Sequence, residues 1–248
     1  MEQKHRRCGA IVLAAGKGSR MKSSVPKQFL PLRGKPVLYY SLAALEAYRA
    51  DDIVLVSSRE EAEYCRREIV EKYAFSRVRS VVLGGWERYH SVYAGLKELE
   101  RLGYAGADLV LIHDGARPFL DGEILGRVCR DAAQYGACAA GMPSKDTVKL
   151  ADAAGFAVQT PDRSLVWTVP TPQAFVFSLI RDAYERMMAS ESSQENVTDD
   201  AMVIERMTDC RVRLTEGSYR NMKITTPEDL ILAEALMGGA DDGYGKRD

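Results

Sequence analysis

A short apolar run near the start of the chain leads directly into glycines and basic residues: AIVLAAGKGSR at residues 10–20. Its first part, residues 10–14, has the length and continuous hydrophobicity of a parallel strand buried on both faces. Similar runs recur at residues 52–56, 78–83, 108–112 and 137–141, and stretches of helical periodicity separate them at residues 37–48, 60–73, 91–101 and 122–135. This alternation predicts an α/β fold with a doubly wound, mostly parallel, Rossmann-like sheet.

The pattern changes after residue 141. Residues 144–172 contain short alternating segments interrupted by prolines, which predicts a β-arm inserted into the sheet domain. Beyond the arm, the sequence predicts helices at 178–189 and 199–206, a strand at 212–215 and a last helix at 227–237. We expect one domain over residues 1–238 and a disordered tail at 239–248, which is rich in Gly and Asp.

Composition excludes several classes of protein. The 248 residues are 46% hydrophobic and 28% charged with a net charge of -1, which argues against disorder and against a protein that coats nucleic acid. No apolar run approaches the ~20 residues of a membrane-spanning helix. The N-terminal residues lack the pattern of a secretory signal, so we expect a cytoplasmic location. Five cysteines and three histidines without metal-ligand spacing argue against a structural zinc site.

The loop after the first strand has the features of a phosphate-binding site. Gly16 and Gly18 allow backbone N–H groups to approach a ligand, and residues 1–35 hold nine Lys or Arg against one acidic residue. Met21 stands where a dinucleotide fingerprint needs glycine, and no Walker motif occurs. Gly-x-Gly alone is more typical of a solvated basic turn, but the Arg and Lys that follow favour phosphate. The loop therefore predicts a nucleoside triphosphate site in which Arg20 and Lys27 supply charge.

A second polar cluster, His113-Asp114-Gly115-Ala116-Arg117-Pro118, follows the fourth predicted strand. A carboxylate at this edge of the sheet, beside a phosphate loop, suits Mg²⁺, so Asp114 is the candidate metal ligand. The alternative is that Asp114 caps the following turn. Arg117 is suited to bind a second anionic group, and we expect His113 to be a packed strand residue without a chemical role.

Six motifs occur in order between residues 10 and 236: AAGxGxRM…PKQ, GGxxRxxSV at 84–92, HDxARP at 113–118, KDTVK at 145–149, TPQAF at 171–175 and NxKITTPEDL at 221–230. Together they resemble the 2-C-methyl-D-erythritol 4-phosphate cytidylyltransferase family of non-mevalonate isoprenoid synthesis. The resemblance implies transfer of a cytidylyl group from CTP to this sugar-alcohol phosphate, with release of pyrophosphate and with Mg²⁺ as cofactor. It also implies a homodimer formed through the β-arm.

The resemblance further implies a set of site residues. The catalytic candidates are Arg20, Lys27, Arg163 and Lys223, with Arg163 acting in the partner's site. The nucleotide-binding candidates are Ala14, Ala15, Gly16, Gly18, Gly85 and Ser91. The acceptor-binding candidates are Arg117, Thr147 and Thr171, and Asp114 is the metal candidate. Trp86 and Arg220 stand where acidic residues occur in the family, which implies base recognition by backbone groups and a metal site with a single carboxylate.

Two alternative functions share features with this sequence. A ribitol-5-phosphate cytidylyltransferase would use the same loop and chemistry on a longer polyol phosphate, and residues 145–149 and 171–175 favour the methylerythritol enzyme. A non-catalytic nucleotide-binding module would be expected to have lost Lys27, Lys223 or Asp114, and all three are present.

Overall fold

A central sheet of eight strands organises the chain. We describe residues 6–16, 21 and 25–238 of a computed structural model. The strands of the central sheet are β1 (Cys8–Ala14), β4 (Asp52–Ser57), β5 (Val78–Leu83), β6 (Leu109–Asp114), β7 (Ala137–Pro143), β10 (Trp167–Thr168), β11 (Gln173–Val176) and β12 (Arg213–Glu216). Two small antiparallel ribbons pair β2 (Pro31–Leu32) with β3 (Lys35–Pro36), and β8 (Leu150–Ala151) with β9 (Ala157–Gln159).

The helices cover both faces of the sheet. They are α1 (Val37–Tyr48), α2 (Ala62–Tyr64) continued by a π-helix (Cys65–Glu71), α3 (Arg88–Arg101), α4 (Gly122–Tyr135), α5 (Phe177–Met188), α6 (Asp200–Met207) and α7 (Pro227–Gly238). Because side chains alternate along a strand, β1 supplies both cores. Ala10 and Val12 pack toward α1, the π-helix and α4, whereas Ile11 packs toward α3, α5 and α6. The predicted doubly wound α/β fold is confirmed.

The strand order is β10-β7-β11-β6-β1-β4-β5, and β12 also pairs with β7. Strand β1 runs parallel to β6 and β4, and β5 runs parallel to β4. The carboxyl ends of these strands therefore meet at one edge, where open α/β sheets bind their ligands.

Strand β11 was not predicted from the sequence. This strand lies antiparallel between β6 and β7 and interrupts the parallel order. Its four residues follow Pro170 and Pro172, and its first side chain, Gln173, is polar yet fully buried. Neither alternation nor length marks such a segment as a strand, so its state is decided by the two neighbours that pair with it.

Two predicted helices differ in detail. The helix expected at 60–73 is a short α-helix followed by a π-helix. The helix expected at 91–101 begins three residues earlier, at Arg88, because Glu87 and His90 form a reciprocal capping box at its N-terminus. The predicted tail, residues 239–248, lies outside the described residues.

The segment predicted as a β-arm leaves the sheet after β7 and returns at β10. Between them, β8 and β9 pair with each other and with no other strand of the described residues, and several large apolar side chains are exposed. Phe156 is 72% exposed, Val158 64% and Leu165 79%. A segment this thin buries almost no apolar surface of its own.

Two features of residues 6–16, 21 and 25–238 bear on the class of protein. None of their helices combines the length and the apolar character needed to cross a membrane. These residues also contain no group of three or more His, Cys, Asp or Glu side chains that could hold a metal ion.

Candidate active site

A cavity of about 270 Å³ opens at the carboxyl ends of β1 and β6. Its wall combines the loop that follows β1 (the strand-end loop, which begins at Ala15), the loop before α3 and the segment before α7. The lining residues are Leu13, Ala14, Ala15, Gly16, Lys27, Gln28, Gly85, Trp86, Glu87, Arg88, Ser91, Asp114, Ala116, Lys223 and Thr225. The cavity thus collects residues from four of the six motifs singled out in the sequence, although these motifs lie far apart along the chain.

The side-chain amide of Gln28 is buried and binds the backbone at the start of the strand-end loop. Gln28 Nε2 donates to the carbonyl oxygens of Ala14 at 2.6 Å and Gly16 at 3.2 Å. Lys27 precedes it in a 3₁₀ turn (Lys27–Phe29), is 9% exposed and lines the cavity. The side-chain amide therefore holds the loop backbone beside a buried lysine. Arg20 and Gly18, both predicted for this loop, lie outside the described residues.

Asp114, at the end of β6, faces three cations. Lys223 Nζ lies 2.9 Å from Asp114 Oδ2, Arg117 Nε lies 3.3 Å from the same oxygen, and Arg88 Nε lies 3.7 Å from Oδ1. Burial alone would raise the pKa of Asp114, but the positive charges of Arg88, Lys223 and Arg117 hold it well below its ordinary value. The carboxylate is therefore ionised throughout the neutral pH range.

Lys223 is brought to Asp114 by the segment before α7. Ile224 N donates to Ala116 O at 2.8 Å, which docks this segment on the loop after β6. The Asp229 carboxylate accepts from the N–H groups of Thr225 at 2.8 Å and Thr226 at 2.9 Å. These bonds explain the NxKITTPEDL motif, since its residues fold into a turn that holds the lysine at the cavity.

Arg88 is a cavity residue for which the sequence analysis predicted no role. Its Nη1 and Nη2 atoms form a bidentate pair with Asp200, at 2.9 Å to Oδ1 and 2.7 Å to Oδ2. Asp200 is fully buried and also accepts from Tyr184 OH at 2.6 Å. The arginine of the GGxxRxxSV motif was the available signal, but its partner lies 112 residues away in α6.

The loop between β5 and α3 forms a further part of the cavity wall and leads into Arg88. A Cβ on Gly84 would come within 2.5 Å of Ser91 Oγ and 2.7 Å of the Ala15 side chain. A Cβ on Gly85 would come within 2.4 Å of His90 Cβ. These two glycines therefore let the loop backbone pack directly against the strand-end loop and the first turn of α3. Gly85 N also donates to Ser91 Oγ at 3.3 Å.

Arg117 connects this cavity to a second one. It pairs with Asp114 in the first cavity and also lines a neighbouring space of about 260 Å³. The other residues of that second cavity are Met142, Thr168, Val169, Pro170, Ser218, Tyr219 and Asn221. Arg117 Nη1 also donates to Asn221 O at 3.0 Å. Arg117 thus contacts both the ion-pair cluster of the first cavity and the wall of the second.

Thr171 and His113 are buried next to Asp114. Thr171 Oγ1 accepts from Asp114 N at 3.0 Å and lies 3.2 Å from His113 Nδ1. Thr171 is buried, so its hydroxyl binds protein groups in this structure. Burial lowers the pKa of His113 to about 4, so the ring is neutral near pH 7. His113 is a packed strand residue, as the sequence analysis expected.

Two predicted site residues lie away from the first cavity. Thr147 is exposed in the arm segment, and the exposed Arg163 donates from Nη1 to Lys145 O at 3.2 Å. Neither is among the residues that line either cavity. Arg220 donates to Leu236 O at 3.0 Å and is exposed.

The donor set around the first cavity fits a Mg²⁺ ion that is held mainly by substrate. Mg²⁺ commonly binds one or two protein carboxylates together with substrate phosphates. Asp114 is an ionised carboxylate on the cavity wall. Glu87 also lines the cavity, but its side chain caps the N-terminus of α3. Asp114 is therefore the residue suited to hold the ion.

Comparison with known proteins gives consistent results. The family model described as 2-C-methyl-D-erythritol 4-phosphate cytidylyltransferase matches residues 8–239. A protein of that name from Lachnoclostridium phytofermentans is 46% identical over 228 residues, covering 92% of this chain and 95% of the relative. One from Lachnospira eligens is 44% identical over 231 residues, covering 93% and 99%. The crystal structure of 4-diphosphocytidyl-2C-methyl-D-erythritol synthase from Anaerococcus prevotii has a TM-score of 0.80 at 34% identity, covering 94% and 96%.

Proposed function

Because the chain belongs to the 2-C-methyl-D-erythritol 4-phosphate cytidylyltransferase family, we propose that its cavity carries out that reaction. The enzyme transfers the cytidylyl group of CTP to 2-C-methyl-D-erythritol 4-phosphate. The products are 4-diphosphocytidyl-2-C-methyl-D-erythritol and pyrophosphate. The step belongs to non-mevalonate isoprenoid precursor synthesis.

The observation that carries the proposal is the convergence of charge on one cavity. Lys27, Lys223 and Arg88 line it together with Asp114. Nucleoside triphosphate and phosphorylated acceptor are both polyanions and repel each other. Fixed cations in a cavity oppose this repulsion more effectively than solvated ones, because they are already oriented and little water screens them.

The chemistry needs no general base from the protein. An oxygen of the acceptor phosphate attacks the α-phosphorus of CTP, and the bond from this phosphorus to the bridging oxygen of pyrophosphate breaks. Because the second pKa of a phosphomonoester is ~6, the nucleophile is already an anion near neutral pH. His113 is fully buried and is not among the residues that line the first cavity, so it is not placed to act as a proton acceptor there. Lys27 and Lys223, and Arg20 from the sequence prediction, stabilise the negative charge that develops on the α-phosphoryl oxygens.

A divalent cation, Mg²⁺, is proposed as cofactor. When bound, it supplies positive charge beside the phosphate oxygens. Asp114 would hold it, while Lys223 and Arg117 remain close enough to bind phosphate oxygens. The low pKa of Asp114 suits this role because the carboxylate does not have to lose a proton before it binds a cation.

The acceptor is assigned to the second cavity, beside Arg117. A phosphate that binds Arg117 would lie across the Asp114 cluster from the nucleotide. Thr147, Thr171 and Arg163 are further acceptor-binding candidates from the family resemblance. Arg163 and Thr147 lie on the exposed arm, so a second copy of the chain is the proposed source of the Arg163 that reaches each site.

A homodimer formed through the β-arm is therefore part of the proposal. The exposed apolar side chains of the arm, Phe156, Val158 and Leu165, favour burial against another surface. The arm is too thin to cover them itself. The cytoplasmic location expected from the sequence stays a prediction.

The deciding experiment measures pyrophosphate release by the purified protein with CTP and Mg²⁺. The acceptors are 2-C-methyl-D-erythritol 4-phosphate, ribitol 5-phosphate, or none. We expect rapid release with the first acceptor, slow release with the second, and none without acceptor. Faster release with ribitol 5-phosphate would reassign the acceptor, and no release with either would contradict the proposed transferase activity.

A further inference from the structure

Among the described residues that line the first cavity, Trp86 stands out because its side chain lies almost entirely in solvent. It is 95% exposed yet lines the first cavity. Within the described residues, its indole makes no hydrogen bond and no ring contact. Trp167, the other tryptophan of the chain, is half-buried and packs against Gly141. Trp86 therefore presents a free aromatic face at the mouth of the nucleotide cavity.

Three cations of this region converge on one carboxylate. Asp114 ends β6, and Lys223, Arg88 and Arg117 gather around it. Trp86 follows β5, which is separated from β6 by β1 and β4. At about 4.8 Å per strand spacing, the ends of β5 and β6 lie on the order of 14 Å apart, and Arg88, two residues after Trp86, extends from the β5 side to within 3.7 Å of Asp114. A nucleoside triphosphate with its phosphates among the cations would therefore extend its base toward the β5 side.

The backbone on either side of Trp86 is anchored. Gly84 and Gly85 pack tightly against Ala15, Ser91 and His90. On the other side, Glu87 N donates to His90 Nδ1 at 3.3 Å within the capping box of α3. The indole therefore projects from a fixed point, so the loop loses little conformational freedom when a ligand contacts it.

We propose that Trp86 is the stacking platform for the cytosine ring of CTP, a binding role that rests on the proposed cytidylyl-transfer reaction. Every base has a π face, so stacking on an indole strengthens binding without choosing between bases. Selectivity for cytosine is left to the edge of the ring and to the backbone groups of residues 84–86 and Ser91. Trp86 is thus a determinant of nucleotide affinity and not of base choice.

Steady-state kinetics of Trp86→Ala test this assignment. We expect the KM for CTP to rise on the order of 10-fold, with kcat and the KM for the acceptor unchanged. The KM for UTP, measured as a poor substrate, should rise by the same factor. Trp86→Phe should restore most of the affinity, whereas Trp86→Leu should not, which separates stacking from apolar contact. Because the side chain is exposed, these substitutions should leave the fold intact. Ile231→Ala, an exposed apolar residue of α7 outside the cavity, is the matched control.

Fluorescence gives an independent readout. In a Trp167→Phe variant, Trp86 is the only tryptophan of the chain. CTP and UTP should quench its emission in the presence of Mg²⁺. Inorganic triphosphate should displace CTP but leave the emission of the free protein unchanged, because it has no base.

Two results would overturn the assignment. One is a KM for CTP in Trp86→Ala within twofold of the wild-type value. The other is unchanged emission at saturating CTP in a protein that still releases pyrophosphate. Both leave the transferase activity standing, whereas a wild-type protein that releases no pyrophosphate with CTP and acceptor would remove the activity and the stacking role together.

Discussion

Replacing Asp200 with Asn should destabilise the fold by removing the partner that holds Arg88. Asp200 is fully buried, and both of its oxygens accept from the Arg88 guanidinium. Asn has nearly the same shape but presents an N–H group to one guanidinium nitrogen. In the variant, the largely buried Arg88 guanidinium loses one of its two acceptors at residue 200. The N–H groups of the new amide face an N–H group of Arg88 instead.

The magnitude follows from the burial of the two partners. Breaking a buried ion pair by removing one partner costs about 3 to 5 kcal/mol. The Arg88 side chain is 28% exposed and keeps Asp114 at 3.7 Å, so the lower end, ~3 kcal/mol, applies. For a chain of this size, that corresponds to a fall in Tm of roughly 6 to 12 °C.

The assay is urea denaturation of the Asp200→Asn protein, with thermal unfolding as a second measurement. Asp209→Asn is the matched control, because Asp209 is exposed and lies two residues beyond the end of α6. Its free energy of unfolding should lie within about 0.5 kcal/mol of the wild-type value. Arg88→Gln completes a double-mutant cycle, in which the double variant should be more stable than the sum of the single losses implies. A loss below 1 kcal/mol for Asp200→Asn, or strict additivity in the cycle, would refute the pairing.

Three further predictions concern catalysis, assembly and pH. Lys27→Ala should lower kcat by on the order of 10² to 10³ in a folded protein, while the exposed Lys72→Ala should not; near-normal kcat in Lys27→Ala would remove Lys27 from the mechanism. Mixing Lys27→Ala with Arg163→Ala subunits should restore about a quarter of wild-type activity, since half of randomly formed dimers are mixed and each has one intact site; no recovery would argue that Arg163 acts within its own subunit. Burial alone would raise the pKa of Asp52, but hydrogen bonds from Arg79, Arg7 and Tyr104 lower it below its ordinary value. Its contribution to stability should be present above about pH 4 and be lost as the pH falls further, so urea titrations should show a weaker acid dependence for Asp52→Asn, and an unchanged dependence would contradict this.

The parts of the fold that follow local patterns were predictable. Strand β1 is buried on both faces, and its sequence is a continuous apolar run for that reason, so the residue types alone indicate a buried strand. Helix α4 likewise has Asp121 as its N-cap, with the side chain accepting from Ile124 N at 2.8 Å. Strand β11 has no comparable sequence pattern. Its four residues follow two prolines and form a strand because β6 and β7 pair with them.

Residue order along the chain determined the doubly wound sheet, the position of the strand-end loop and, through its motifs, the family. These depend on periodicity and on turn chemistry, which act between residues close in sequence. Only the tertiary structure decided that Lys223 and Arg88 meet at Asp114, that Asp200 holds Arg88, and that Thr171 faces inward while Trp86 faces solvent. Ion pairs and burial depend on distances in space between segments up to 112 residues apart, and no local pattern records those distances.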